Sequence, residues 1–265
     1  MPAMVSPAEI SITPIPAFND NYLWLLARAG RAAIVDPGDA APVERALAQR
    51  KLTLDAILVT HHHADHVGGL QALRAAGVTV YGPRSEAIDG VDVPLAAGDR
   101  IEVLGLAFSV LDVPGHTAGH IAYYTESLAT PAVFCGDTLF ACGCGRLFEG
   151  TPAQMLSSLD RLAALPSSTR VYCAHEYTLA NIRFALAVEP TNPALLERAQ
   201  QAAAMRERGE PTVPSTIGQE LATNPFMRSD APTVRAAAVA RSGARTALDR
   251  VQTFATIRAW KNDFR

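Results

Sequence analysis

The chain has 265 residues, 49% of them apolar, with 18 glycines, 18 prolines and a formal net charge of −3. That supplies a sizeable core and excludes collagen-like, low-complexity and acidic disordered chains. The near-neutral balance excludes a basic protein that coats nucleic acid, and no apolar run approaches the ~18–20 residues of a membrane span.

The opening MPAMVSPAEISI has neither the basic nor the apolar stretch of a secretory leader. With no leader, the four cysteines Cys135, Cys142, Cys144 and Cys173 read as reduced thiols of a cytoplasmic protein. Short β-branched or aromatic runs then predict strands at 22–27, 33–36, 56–60, 79–81, 108–112, 121–125, 132–135 and 170–173. Helical patterns alternate with them at 41–50, 67–76 and 152–164. Thr151, Pro152 and Gln154 form a helix start with a capping box. Apolar strands without polar alternation, such as AILV and AVF, predict sheets covered on both faces by helices.

Composition changes near 175–185. Residues 1–178 hold 15 of the 18 glycines and all seven histidines, with 11 basic and 18 acidic side chains. Residues 179–265 hold three glycines, no histidine and 18 alanines, with 12 basic and 8 acidic side chains. Ala-rich, Gly-poor sequence favours helix, here at 179–188, 193–208, 232–241 and 247–260. Asn192-Pro193 and Thr246-x-x-Asp249 mark the starts of the second and fourth. The organisation expected is therefore a mixed α/β domain over 1–178 and a smaller helical domain over 179–265.

The densest chemistry lies in Thr60-His61-His62-His63-Ala64-Asp65-His66. Following an apolar strand and preceding Gly68-Gly69, it belongs in a loop at a strand end. An extended chain there would project His61, His63 and Asp65 to one side and His62 to the other, with His66 entering from the next turn. Four imidazoles and a carboxylate so close suit a divalent first-row metal. A surface histidine tract or a purification tag would not carry an aspartate directly after a strand. Three further polar sites follow strands in the same way: Asp112-Val113-Pro114-Gly115-His116 with His120, Cys135-Gly136-Asp137, and Cys173-Ala174-His175-Glu176-Tyr177. Together these supply enough ligands for two metals sharing a bridge.

The order His61-x-His63-x-Asp65-His66, then His116, Asp137 and His175, resembles the metallo-β-lactamase superfamily over the whole first part. The resemblance implies an αββα sandwich with metals at one sheet edge. It implies that His61, His63 and His116 bind one metal and Asp65, His66 and His175 a second, with Asp137 bridging. His62, His120 and Asp36 fall outside that ligand pattern and are read as supporting residues. Narrower motifs, Cys144-Gly145-Arg146-Leu147-Phe148-Glu149-Gly150-Thr151, Ala174-His175-Glu176-Tyr177-Thr178, Asn224-Pro225-Phe226-Met227-Arg228 and residues 257–264, resemble glyoxalase II, the hydroxyacylglutathione hydrolases.

That closer resemblance implies two divalent ions per chain, zinc foremost, with iron or manganese as alternatives. It also implies cleavage of S-D-lactoylglutathione to glutathione and D-lactate by a metal-bridging hydroxide, with Asp65 and Asp137 in the catalytic centre. Arg146, Tyr177, Arg258 and Lys261 would then bind the glutathione moiety. Arg146 stands where some relatives carry lysine, and Phe148 where some carry a substrate-contacting tyrosine. Independently, Arg258 and Lys261 are spaced i, i+3 and share a helix face, and Lys261 is one of only two lysines. The competing expectation is a glutathione persulfide dioxygenase with one Fe(II). The partner expected is a small glutathione thioester, with no nucleic acid and no membrane, acting on a monomer.

Overall fold

In a computed structural model of the protein, which describes residues 10–75 and 77–264, two six-stranded sheets pack face to face. The first runs β1 (Ser11–Ala17), β2 (Asn21–Arg28), β3 (Arg31–Val35), β4 (Thr53–Leu58), β5 (Thr79–Pro83) and β6 (Val93–Leu95), in that order. It is antiparallel through β3 and parallel from β3 to β6. The second sheet is built from β7 (Arg100–Val103), β8 (Leu106–Asp112), β9 (Ile121–Thr125), β10 (Ala132–Gly136) and β13 (Arg170–Cys173). A two-residue strand, β14 (Ser215–Thr216), closes its other edge against β13. Between β10 and β13 the chain makes a small hairpin, β11 (Leu139–Phe140) and β12 (Gly143–Cys144).

Period-two alternation builds both layers of the core. On β2, Trp24 and Leu26 face the second sheet and meet the cluster of Phe108, Val110, Phe134 and Tyr172. Leu23 and Leu25 on the same strand face outward with Ile34, Ile57 and Val80. They are covered by Val43 of α1 (Ala40–Arg50) and by Leu70 and Leu73 of α3 (Leu70–Leu73). The outer layer on the far side includes α4 (Pro152–Ala163), which buries Met155, Leu156, Leu159 and Leu162. Its N-cap is the expected capping box between Thr151 and Gln154. The result is the αββα sandwich anticipated from the sequence.

The remaining chain forms α5 (Thr178–Val188), α6 (Pro193–Glu207), α7 (Ile217–Thr223), α8 (Pro232–Ser242) and α9 (Arg250–Asp263). This part is not helical throughout, since β14 belongs to it. The last helix begins at Arg250 rather than at 247, because Asp249 and Gln252 make the capping box and Thr246 lies outside it. The helix expected at 67–76 is instead two single turns, α2 (Ala64–Val67) and α3, separated by Gly68-Gly69. Ala76 lies outside the described residues, as does most of the segment read for a leader. Among the described residues no helix is long and apolar enough to cross a membrane.

The two halves are locked by a buried polar junction. Arg198 of α6 pairs with Glu220 of α7 at 2.6 Å, and Glu220 accepts from the Cys142 N–H at 2.9 Å and from Asn224 at 3.0 Å. Asn224 also donates to the Gly143 carbonyl at 2.9 Å, and Asn181 to that of Ala141 at 3.1 Å. These contacts grip the β11–β12 hairpin from the helical side. All four cysteines are buried and free. Burial pushes the Cys142 and Cys173 thiols up to about 12 and raises Cys135 and Cys144, which disfavours the nucleophilic thiolate at all four.

Candidate metal centre

The loops that follow β4, β8, β10 and β13 all open at one end of the sandwich. Backbone hydrogen bonds stitch the sheets together there, from Tyr22 N–H to the Ala174 carbonyl at 2.7 Å and from Ile121 N–H to that of Thr60 at 3.0 Å. The histidine run stays extended only as far as His63, the N-cap of α2. Asp65 and His66 are successive residues of that helical turn, so Asp65 does not continue the alternation expected of an extended chain. Close packing fixes the turn: a Cβ at Gly38 would stand 1.8 Å from the Asp65 carbonyl oxygen, so only glycine fits.

Seven side chains converge. His61 Nε2 lies 3.1 Å from His63 Nδ1, which lies 3.0 Å from His116 Nε2. Asp137 Oδ2 is 3.4 Å from His116 Nε2, while its Oδ1 is 3.4 Å from both His66 Nε2 and His175 Nε2. Asp65 Oδ2 is 3.5 Å from the same two nitrogens. Ligand atoms of His61, His63 and His116 lie within 4.8 Å of one another, as do those of Asp65, His66 and His175. Asp137 thus has one oxygen toward each group.

The other ring nitrogens are held from behind. His116 Nδ1 donates to the Arg146 carbonyl at 2.8 Å, and His175 Nδ1 to Asp20 at 2.8 Å. The Thr60 hydroxyl donates to Asp36 at 2.7 Å, which leaves its oxygen to accept from His61 Nδ1 at 3.1 Å. Asp36 also faces His66 Nδ1 at 3.1 Å. The hydrogen-bonded partners fix the tautomers of His61, His116 and His175 so that a lone pair points inward. Burial holds His61, His63 and His116 below the ordinary histidine value, which keeps them neutral and ready to ligate. Burial also opposes charge on His66, but Asp137 and Asp36 outweigh it and hold that ring well above its ordinary value.

The donor set fits divalent cations. His66 Nε2 and Asp137 Oδ1 are buried without a hydrogen-bond partner, a state that costs ~1–3 kcal/mol per group unless something else satisfies it. Imidazole nitrogens mixed with carboxylates are the ligands such ions take.

His62 and His120 support this centre from outside it. His120 stacks on His61 with ring centroids 4.5 Å apart, and its Nε2 accepts from the Asp137 N–H at 3.2 Å. Burial lowers His120 to about 3, so it stays a neutral acceptor. His62 turns away from the centre toward Glu86 and Glu149.

The centre forms the floor of a cavity of about 740 Å³ that also reaches Arg146, Tyr177, Arg258 and Lys261. The Tyr177 ring stacks on His175 at 4.7 Å and 3°. Phe148, 59% exposed, presents its ring edge-on to His63 and His116 at 5.6 and 5.3 Å. Lys261 is half-buried, donates to the Ala180 carbonyl at 3.3 Å, and is lowered by burial and by the nearby Arg258 and Arg183. Arg258 is more enclosed: it donates to the Cys144 carbonyl at 2.8 Å and to Asn262 at 3.0 Å, and lies over Phe226.

Sequence reasoning missed Asp20 and Asn21, although Asn21 donates to Asp65 Oδ2 at 3.0 Å and Asp20 holds His175. The Asn19-Asp20-Asn21 turn was a usable signal, but only once β1 is recognised as a strand preceding it.

Comparison with known proteins agrees with this geometry. Residues 18–89 and 78–175 match the metallo-beta-lactamase superfamily, and residues 176–264 match the hydroxyacylglutathione hydrolase C-terminus. A hydroxyacylglutathione hydrolase of Pseudomonas paraeruginosa is 58% identical over 259 residues, covering 96% of this chain and 100% of that one. Among solved structures, the BLEG-1 B3 metallo-beta-lactamase has a TM-score of 0.60 at 25% identity, covering 82% of this chain and 99% of its own. TTHA1623 in a di-iron-bound form has a TM-score of 0.55 at 28% identity, covering 84% and 100%. The chain belongs to the hydroxyacylglutathione hydrolase family, within the metallo-β-lactamase superfamily.

Proposed function

We propose that the chain hydrolyses the thioester of S-D-lactoylglutathione, and of related 2-hydroxyacylglutathiones, to glutathione and a 2-hydroxy acid. This is the second step of methylglyoxal detoxification. The observation that carries the reading is the single cavity of about 740 Å³ lined both by His63, Asp65, His116, Asp137 and His175 of the cluster and by the cationic side chains Arg146, Arg258 and Lys261. In this reading His61, His63 and His116 would hold one divalent ion and Asp65, His66 and His175 a second, with Asp137 shared between them. Zinc suits an imidazole-rich set best, and the di-iron form of TTHA1623 supports a two-metal centre with iron as an alternative occupant. When bound, the ions supply a water of lowered pKa as nucleophile and a Lewis acid toward the acyl oxygen.

The chain's own residues do the rest. Asp20, Thr60 and Asp36 keep the ligand imidazoles oriented, and His120 fixes the Asp137 backbone. Lys261 and Arg146 offer positive charge to the carboxylates of the peptide moiety, remote from the scissile bond. Arg258, already committed to Cys144 and Asn262, holds α9 against the β11–β12 hairpin and adds its field. A thiol leaves as thiolate, with a pKa of ~8.5, so hydrolysis needs no separate general acid. The match of residues 176–264 to the hydrolase C-terminus favours this reaction over persulfide oxidation. Four free buried thiols suit a reducing cytoplasm, and we read the chain as a monomer.

Lys261→Ala tests the binding half of the reading. Losing one charge-assisted contact costs on the order of 1.5–3 kcal/mol, roughly ten- to hundredfold in KM, with little change in kcat. The lactoyl thioester of a small thiol without carboxylates should then be cleaved equally by both proteins. Steady-state kinetics on the two substrates checks this, and an unchanged KM for the glutathione thioester would remove Lys261 from the binding site.

A further inference from the structure

Glu86 lies just beyond β5, in the first sheet, and its side chain is only 3% exposed. It lines a small cleft of about 220 Å³ together with His62, Ser85, Ala118 and Glu149. One carboxylate oxygen faces His62 Nδ1 at 2.9 Å. The other accepts from the Gly119 N–H at 3.1 Å and from the Thr117 hydroxyl. Glu149 completes the arrangement, with Oε1 3.3 Å from His62 Nε2 and Oε2 accepting from the Ala118 N–H at 2.8 Å. The approach is tight: a Cβ at Gly119 would stand 2.6 Å from Glu86 Cγ.

The groups joined this way belong to two different loops. His62 sits between His61 and His63 on the loop after β4, in the first sheet. Thr117, Ala118 and Gly119 follow His116 on the loop between β8 and β9, in the second. A buried carboxylate costs free energy unless its oxygens are satisfied, and here the donors that satisfy it come from both loops at once. Any movement of one loop against the other breaks part of that set.

We propose that Glu86, acting through His62, is a positioning residue that sets the spacing of His61, His63 and His116 and thereby the metal affinity of that half of the centre. The proposal rests on the ligand assignment given under Proposed function. Outer partners of metal ligands change affinity by about ten- to hundredfold when removed, and Glu86 would do so for one half only.

The test is competition for Zn²⁺ between the metal-free full-length protein and a chromophoric chelator. Wild-type protein is expected to bind in two steps. Glu86→Ala should weaken one step about ten- to hundredfold and leave the other unchanged, with the thermal midpoint of the metal-free protein preserved. His62→Ala should weaken the same step, and the double variant should add little, because both act on one contact. If Glu86→Ala does not fold, Glu86→Gln serves. It keeps the acceptor for Thr117 and Gly119, presents an amide N–H₂ to His62, and should weaken the same step by a smaller factor. Unchanged steps in a folded variant, or equal weakening of both, would overturn the proposal while leaving the ligand assignment intact. A wild-type protein that binds no divalent ion would remove both.

Discussion

Asp137→Ala is expected to abolish turnover and metal retention together. Its two oxygens face opposite groups of ligands, Oδ2 toward His116 and Oδ1 toward His66 and His175, all at 3.4 Å. On the assignment given under Proposed function, the two ions would lose the carboxylate that faces both groups of ligands, so at least one ion should be lost. Loss of one charge-stabilising element of a preorganised site costs ~10²–10³ in kcat, and loss of an ion along with it makes that range a lower bound. Asp137→Asn separates shape from charge: it keeps the contacts of size and removes the anion, and should fail nearly as completely. Metal analysis beside steady-state kinetics checks the pair, and an Asp137→Ala protein that retains two ions would refute the bridging role.

The second large effect is on stability and lies away from the centre. Arg198→Leu strands the Glu220 carboxylate, whose side chain is fully enclosed and otherwise paired at 2.6 Å. Breaking a buried pair from one side costs about 3–5 kcal/mol, because the remaining charge is left unsatisfied. For a protein of this size that lowers the thermal midpoint by roughly 6–20 °C. Glu220 also accepts from Cys142 and Asn224, so the β11–β12 hairpin should loosen with it. The double variant Arg198→Leu/Glu220→Gln keeps an acceptor for the Cys142 N–H and removes the stranded charge, and should regain a large part of the loss. Thermal unfolding of the three proteins decides this, and a single variant as stable as wild type would show the pair to be energetically idle.

Much of the architecture is written locally in the sequence. Apolar strands such as β2, β3 and β10 announce themselves because both faces are covered, and the caps at Thr151 and Asn192 are side chains bonding their own helix. The strand β1 escapes that reading because it carries Pro14 and Pro16. An edge strand tolerates both, since one side of its backbone needs no ladder partner. β6, with Pro94, lies on the opposite edge for the same reason. The run 67–76 reads as one helix by its apolar spacing, yet it forms two separate turns, the first carrying Asp65 and His66 inward; Gly68 and Gly69 between them pack so close to the Gly38 and Pro37 carbonyls that a Cβ would stand 2.6 and 2.4 Å from those oxygens.

The candidate ligands were legible because histidine is scarce and all seven fall in three short segments that follow strands. Of their support, His62, His120 and Asp36 were legible beside them, but the partners reached across the chain were not. Asp20 meets His175 across 155 residues and Glu86 meets His62 across 24, just as Arg198 meets Glu220 across 22 in the helical part. Nothing local in an isolated aspartate or glutamate distinguishes such a partner from a solvated surface charge. Only the packing of the two sheets creates the contact.

Hydrolysis of S-D-lactoylglutathione by metal-loaded and chelator-stripped protein, with bound metal counted in the same samples, decides whether the chain is a metal-dependent thioesterase. Fast cleavage by protein holding two ions per chain, loss of cleavage on stripping, and recovery when Zn²⁺ is restored are expected. A fully metal-loaded protein that leaves the thioester intact, or a stripped protein that cleaves it at the same rate, would contradict that function.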